Sequence, residues 1–273
     1  MRTYIARLLA GLCSVVALVG LGMAQSASAG TIILEGSDAI GYHSGEAGSA
    51  AQAYRDQVWS AIGGADPRAI AVIGYQPVSA GYIGSNTHSI MSFQTLATAG
   101  SLGNYAALYF LAGGGCCLED DTLVAGFQAD ILAYLAAGGT IMIENYTGGA
   151  AWDFAVGAGG LGNAHVAGYG GALPGATCSD GETVTAEGLL NGFTQPAPMG
   201  CWTHQAYDTA FFGALGFTHT FFDAGPDYPA GFSSLLSNGR TITGGGTVPE
   251  PGTLALLGLG LAGLGFTRRR HAN

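Results

Sequence analysis

Glu119, Asp120 and Asp121 set three carboxylates side by side after the glycine run Gly113-Gly114-Gly115. Clustered carboxylates on a flexible loop are what Ca²⁺ uses when it gathers oxygen ligands, so this triplet could hold calcium, and no other cofactor is expected. The same triplet equally suits the start of the helix expected from Thr122, where negative charge meets the positive end of the helix dipole. The histidines between Gly30 and Thr247 are His43, His88, His165, His204 and His219, and none forms an HxH or HExxH pair with a near neighbour. A hydrolase of the nucleophile-elbow type needs GxSxG, which the chain lacks. Gly157-x-Gly159-x-x-Gly162 has dinucleotide-binding spacing, but Gly168, Gly170, Gly171 and Pro174 follow where a helix should open. Cys117 with His165 and Asp180 could make a thiol site, although Cys116 beside it favours oxidation. No catalytic residue is assigned. Trp152, Tyr169 and Trp202 lie in glycine-rich stretches, where aromatic rings could stack on sugars or simply pack.

The elements that would carry these residues alternate between strand and helix. Thr31 to Leu34, Ala69 to Gly74, Tyr105 to Leu111 and Thr140 to Glu144 read as buried strands, being short, apolar and bounded by turn residues. Ser49 to Ile62 has helical spacing through Tyr54, Val58 and Ile62 and stops at Gly63-Gly64. Ile90 to Ala99 is expected to be helical. Thr122 to Ala137 carries Leu123, Phe127, Ile131 and Leu135 along one face and ends at Gly138-Gly139. Beyond Gly148 the pattern weakens: Val156 to Gly175 reads as loop and Gly188 to Phe193 as a short helix. Phe211 to Phe222 supplies at least one strand, and Ser233 to Ile242 a terminal helix or a turn plus strand. The expected class is α/β, a three-layer sandwich around a mostly parallel sheet, with a short apolar helix at the C-terminus.

The passage from Tyr105 to Asn145 resembles the class I glutamine amidotransferase-like fold, including its ThuA-type relatives. The resemblance rests on an apolar strand ending in glycines, the helix Ile131-Leu132-Ala133-Tyr134-Leu135, and Gly138-Gly139-Thr140 opening the next strand. It implies a flavodoxin-like or amidotransferase-like sheet, and catalytic members of that family carry a nucleophilic Cys on the turn after the central strand. Here that turn reads Asn145-Tyr146-Thr147-Gly148-Gly149, so the nucleophile has no counterpart.

The two ends concern destination. Arg2 and Arg7 precede the apolar run Leu8 to Gly22, and Ala27-Ser28-Ala29 offers a small-x-small cleavage site before Gly30, so residues 1–29 read as a signal peptide for signal peptidase. The exported body is expected over residues 30–243, with a glycine linker at 244–247. The tail, residues 248–273, opens on Val248-Pro249-Glu250-Pro251, runs through an apolar segment at 253–267, and closes on Arg268-Arg269-Arg270. Its strictly apolar part, Leu254 to Phe266, is 13 residues, short of the roughly 20 a helix needs to cross a bilayer. This order of features resembles the PEP-CTERM sorting signal of Gram-negative bacteria. The resemblance implies an exosortase as partner, transient inner-membrane anchoring, a final place at the cell surface or outside it, and a link to exopolysaccharide or biofilm matrix.

Charge narrows the partners. The chain has no lysine, and between Gly30 and Thr247 three arginines (Arg55, Arg68, Arg240) face 17 Asp and Glu, a net charge near −14. Such a surface repels nucleic acid and anionic membrane and suits cations or neutral polymers. Four cysteines, Cys116, Cys117, Cys178 and Cys201, lie beyond the signal segment, and an oxidising compartment makes disulfides the default among three pairings. Cys178 bridging to Cys201 is the expected pair, with Cys116 and Cys117 joined to each other or elsewhere. Three functions follow: a non-catalytic exported matrix protein, a hydrolase-like enzyme on an amidotransferase-like scaffold, and a calcium- or carbohydrate-binding module. Oligomeric state is not encoded in any of these features.

Overall fold

The computed structural model describes residues 30–41, 43, 50–74, 84, 88–111, 126–145, 164–179, 181–194 and 201–239. Its core is a parallel sheet built from β1 (Thr31–Glu35), β2 (Ile70–Ile73), β3 (Ile90–Phe93), β4 (Ala107–Phe110) and β5 (Thr140–Glu144). The spatial order is β3-β2-β4-β5-β1, every neighbouring pair parallel. Alternate residues of these strands face opposite sides, as the two-residue period of a strand requires. Ile33, Val72, Tyr109 and Met142 pack under α1 (Ala50–Gly63), against its Tyr54, Val58, Trp59 and Ile62. Ile32, Leu34, Ile73, Leu108, Phe110 and Ile143 face the other way, onto α2 (Leu96–Ala99) and α3 (Gln128–Ala136). A sheet covered on both faces needs near-continuous apolar strands, and these have them.

Beyond β1 the sheet turns antiparallel. β6 (Val166–Gly168), β7 (Thr183–Val184), α4 (Ala186–Leu190), β8 (Gln205–Asp208), α5 (Thr209–Ala214), β9 (His219–Asp223) and β10 (Phe232–Ser237) complete it. β10 pairs with β1 through Leu235 to Ser237, with β8 through Phe232 and Ser233, and with β9. The short helices here are capped from the sequence: Thr185 accepts the Gly188 N–H, and Asp208 accepts those of Ala210 and Phe211.

The α/β class and the parallel core agree with the sequence, and β5 occupies the expected span, Thr140–Glu144. Two expectations are corrected. Ile90 to Phe93 is an edge strand, not helix, because β2 offers it a parallel hydrogen-bonding edge over all four residues; only Leu96–Ala99 is helical. The strand expected within Phe211 to Phe222 is present as β9, starting at His219, with Phe211 in the preceding helix. The neighbour order also departs from the 2-1-3-4-5 of flavodoxin-like sheets: β1 lies beside β5, with β4 and β5 between it and β2. Hydrophobic period encodes burial, not which strand is next to which.

Candidate functional site

β1 and β5 read Thr-Ile-Ile-Leu-Glu and Thr-Ile-Met-Ile-Glu, and the sheet sets them in parallel register from Thr31 opposite Thr140 to Glu35 opposite Glu144. Two glutamates therefore end adjacent strands, side by side, on the face that α1 covers. They are 1% and 2% exposed. This is the carboxyl edge of the parallel sheet, where α/β proteins bind ligands.

Glu35 is ringed by hydroxyls. Its Oε1 accepts from Tyr54 (2.5 Å) and Ser37 (2.8 Å), and its Oε2 from Tyr109 (2.9 Å). Glu144 is held by backbone instead: its Oε1 accepts the Ile40 N–H (2.9 Å) and the Gly41 N–H (2.9 Å), and Oε2 shares the latter at 3.1 Å. Burial pushes Glu35 up to about 7, against the pull of its hydroxyl donors, with the Asp38 charge adding to the rise. Burial and then the Glu35 charge push Glu144 well above the usual carboxylate range. Two buried carboxyls on neighbouring strands cannot both ionise cheaply, so the pair retains a proton near neutrality. Backbone N–H groups can only donate to Glu144, whereas the hydroxyls around Glu35 can donate or turn to accept. Tyr54 and Tyr109 are themselves driven well above their usual range, first by burial and then by these carboxyls.

The segment Gly36 to Gly41 forms a strap over this pair. Gly36 must be glycine, because a Cβ there would lie 2.0 Å from the Gln205 carbonyl oxygen. Its own carbonyl accepts from the N–H groups of His204 (2.8 Å) and Gln205 (2.9 Å). Asp38 donates its N–H to Trp202 O, and its Oδ1 lies between two imidazoles, His204 Nε2 at 3.4 Å and His43 Nε2 at 3.5 Å. His204 Nδ1 is 2.7 Å from Thr177 O; a carbonyl can only accept, so Nδ1 carries the proton there. His43 stacks on Trp202 at 5.5 Å between centroids. Asn145 donates to Gln205 Oε1, and Glu182 accepts from Thr203 at 3.0 Å. A cavity of about 20 Å³, roughly one water in size, lies among Glu35, Ser37, Tyr54, Glu182, Thr203 and Ser234.

A family profile described as the PEP-CTERM protein-sorting motif matches residues 247–270. The chain therefore carries a PEP-CTERM sorting motif at its C-terminal end. It is accordingly an exported exosortase substrate, anchored in the membrane before sorting. No curated protein and no solved structure matches it. Among the described residues, no helix is long and apolar enough to cross a membrane.

In the chain that carries this motif, Cys178 and Cys201 are disulfide-bonded, with Cα atoms 4.5 Å apart. The bond closes next to Ser179 and Thr203, which bridge each other and, through Thr203, Ser37 of the strap. The other expected pair, Cys116 and Cys117, lies outside the described residues. So do the calcium candidates Glu119, Asp120 and Asp121, the glycine fingerprint, the cleavage site at Ala27 and Ala29, the sorting residues Val248 to Pro251 and Arg268 to Arg270, and the apolar segment 253–267. Gly30, the expected first mature residue, donates its N–H to Leu135 O. Among the described residues no three His, Cys, Asp or Glu side chains are grouped to hold a metal. His165 is 3.5 Å from Asp208 and stacks on Phe211, and His219 is 2.6 Å from Glu187. Tyr169 is exposed, whereas Trp202 is buried.

The sequence reading passed over Glu35, Asp38, Glu144 and His204 as site residues. One signal was available: an acid closing each of two nearly identical apolar runs, where a β-rich segment would otherwise end on a turn residue.

Proposed function

We propose that this protein is a non-catalytic component of the matrix outside a Gram-negative cell, linked to exopolysaccharide at the cell surface after exosortase has processed its tail. The observation that supports the non-catalytic part is how Glu35 and Glu144 are held among the described residues. Glu35 and Glu144 are saturated by five donors from the protein itself, and the cavity beside Glu35 measures about 20 Å³, far below the several hundred typical of a small-molecule site. The lysine-free, acidic body supports contact with neutral rather than anionic polymer.

The test is fractionation of matrix from cells expressing a tagged protein, with and without the exosortase and with and without polysaccharide synthesis. Co-fractionation with polymer that disappears when the polymer is absent is expected. A protein that stays cell-associated regardless of either deletion overturns the reading.

A hydrolase-like enzyme on an amidotransferase-like scaffold is the second reading. One observation favours it: Glu35, Asp38, Glu144 and His204 converge beside Asn145 at the edge where α/β enzymes place chemistry. Turnover of glycoside, ester or amide model substrates that Glu35→Gln abolishes would favour it over the first.

A further inference from the structure

The Gly36–Gly41 strap is fastened at three places. Gly36 is locked to the start of β8 through His204 and Gln205, Asp38 donates to Trp202 O, and Ile40 and Gly41 donate to Glu144. The first two bonds are backbone to backbone and indifferent to pH, although the Asp38 side chain also lies between His204 Nε2 (3.4 Å) and His43 Nε2 (3.5 Å). The third ends on a carboxyl whose register partner is another buried carboxyl. We propose that Glu35 and Glu144 form a proton-operated latch: while the pair shares a proton the far end of the strap is held on the carboxyl edge, and loss of that proton releases it.

The surroundings determine the direction. Facing the pair are Tyr109 from β4, Tyr54 from α1, Ser37 and Asp38 from the strap itself, and Glu182 from the segment leading into β7. His43 and His204 approach Asp38, and Arg55, the basic residue of α1, pairs with Asp56 at 3.3 Å. A second negative charge on the pair therefore meets Asp38 and Glu182, with the Tyr54, Tyr109 and Ser37 hydroxyls as its nearest donors. Opening the strap admits water to both carboxyls and restores them toward their ordinary range, where they ionise. Opening thus releases a proton, so the open fraction grows as pH rises and levels off once the closed pair is itself ionised. Burial pushing Glu35 up to about 7 places that plateau near neutrality. The latch is closed on the acid side.

The experiment is amide hydrogen exchange of the full-length chain in detergent micelles, read by mass spectrometry on peptides covering Ile40 and Gly41 and corrected for intrinsic exchange rates. Expected is a fall in protection of up to about tenfold per pH unit between pH 5 and 7, flattening above, while peptides of β2 and β4 do not change. In Glu35→Gln, a neutral isostere, the dependence should shrink at least severalfold. Strap protection that is constant from pH 5 to 8 in the wild-type protein overturns the proposal. So does a dependence shared equally by β2 and β4, which would mean global loosening. Should Glu35→Gln not fold, ¹³C titration of the wild-type glutamate carboxyls decides: a carboxyl titrating near neutral supports the latch, and all titrating below pH 5 removes it.

Discussion

Glu35 and Glu144 are direct register partners at the ends of adjacent parallel strands, one held by hydroxyls and the other by the backbone of the strap that crosses them. Among the described residues the hydrogen-bond partners of both carboxyls are neutral donors, not cations. Their energetic signature should be a dependence on pH opposite to that of salt-bridged acids.

Stability should fall as the solution moves from acid to neutral. Glu35 rises from 4.5 in the unfolded chain to about 7 in the folded one. Its contribution is therefore fully present below 4.5 and lost as pH climbs through 7, a change of about 3 kcal/mol. Glu144, raised by the same burial, acts in the same direction. Urea unfolding of the body at pH 5, 6, 7 and 8 measures it, and a flat profile would contradict the protonated pair.

Removing a hydroxyl from the ring around Glu35 has two separable effects. Tyr54→Phe and Tyr109→Phe each delete a donor to a buried carboxyl, costing about 1–3 kcal/mol. Each also removes a group that pulls Glu35 down, so its titration midpoint should move further up. Carboxyl NMR with denaturation reads both; an unchanged midpoint in Tyr54→Phe, the stronger donor, would show that its hydroxyl does not face an ionising group.

Gly36→Ala should be severe. The added Cβ would sit 2.0 Å from backbone oxygen of Gln205, which cannot swing away as a side-chain tip can. A loss of about 3 kcal/mol or more, or failure to accumulate, is expected. Gly103→Ala is the control: its Cβ meets only Ser101 Oγ, at 4.0 Å, and thermal unfolding should barely move. Equal effects at both positions would refute the close approach.

Cys178→Ser with Cys201→Ser opens a link between residues 23 apart, worth about 3 kcal/mol by loop entropy. The wild type should lose a similar amount under strong reductant, and non-reducing peptide maps should show the 178–201 pair. Recovery of Cys178 linked to Cys116 or Cys117 instead would redraw the connectivity.

Replacing Arg268, Arg269 and Arg270 with Gln should leave the body folded and block sorting, since the basic cluster closes the matched motif. An immunoblot of cell and medium fractions reads this as full-length chain retained with the membrane. Normal release of the triple variant would show that the arginines are dispensable for sorting.

Much of the local structure was legible in the chain. β5 and α1 lie where continuous apolar runs and helical spacing predict, because burial on both faces of a sheet leaves few ways to write a strand. Ile90 to Phe93 misled because four apolar-rich residues fit either period, and an open edge on β2 decided for strand. Chemistry was the least legible part. Asp38 lies 166 positions before His204, and their 3.4 Å contact exists only because β10 carries the antiparallel half back beside β1.

By itself, the sequence determined that this protein carries an export and sorting tail and that its body is mixed α/β. The sorting tail is read as a linear string by a membrane enzyme, and strand and helix periods are properties of neighbours along the chain. Only the tertiary structure decided that Glu35 and Glu144 stand side by side, that hydroxyls from α1 and β4 surround one and the strap holds the other, and that the pair retains a proton. Register between strands 109 residues apart is set by packing across the sheet, and desolvation, which moves those carboxyls, depends on everything that closes over them.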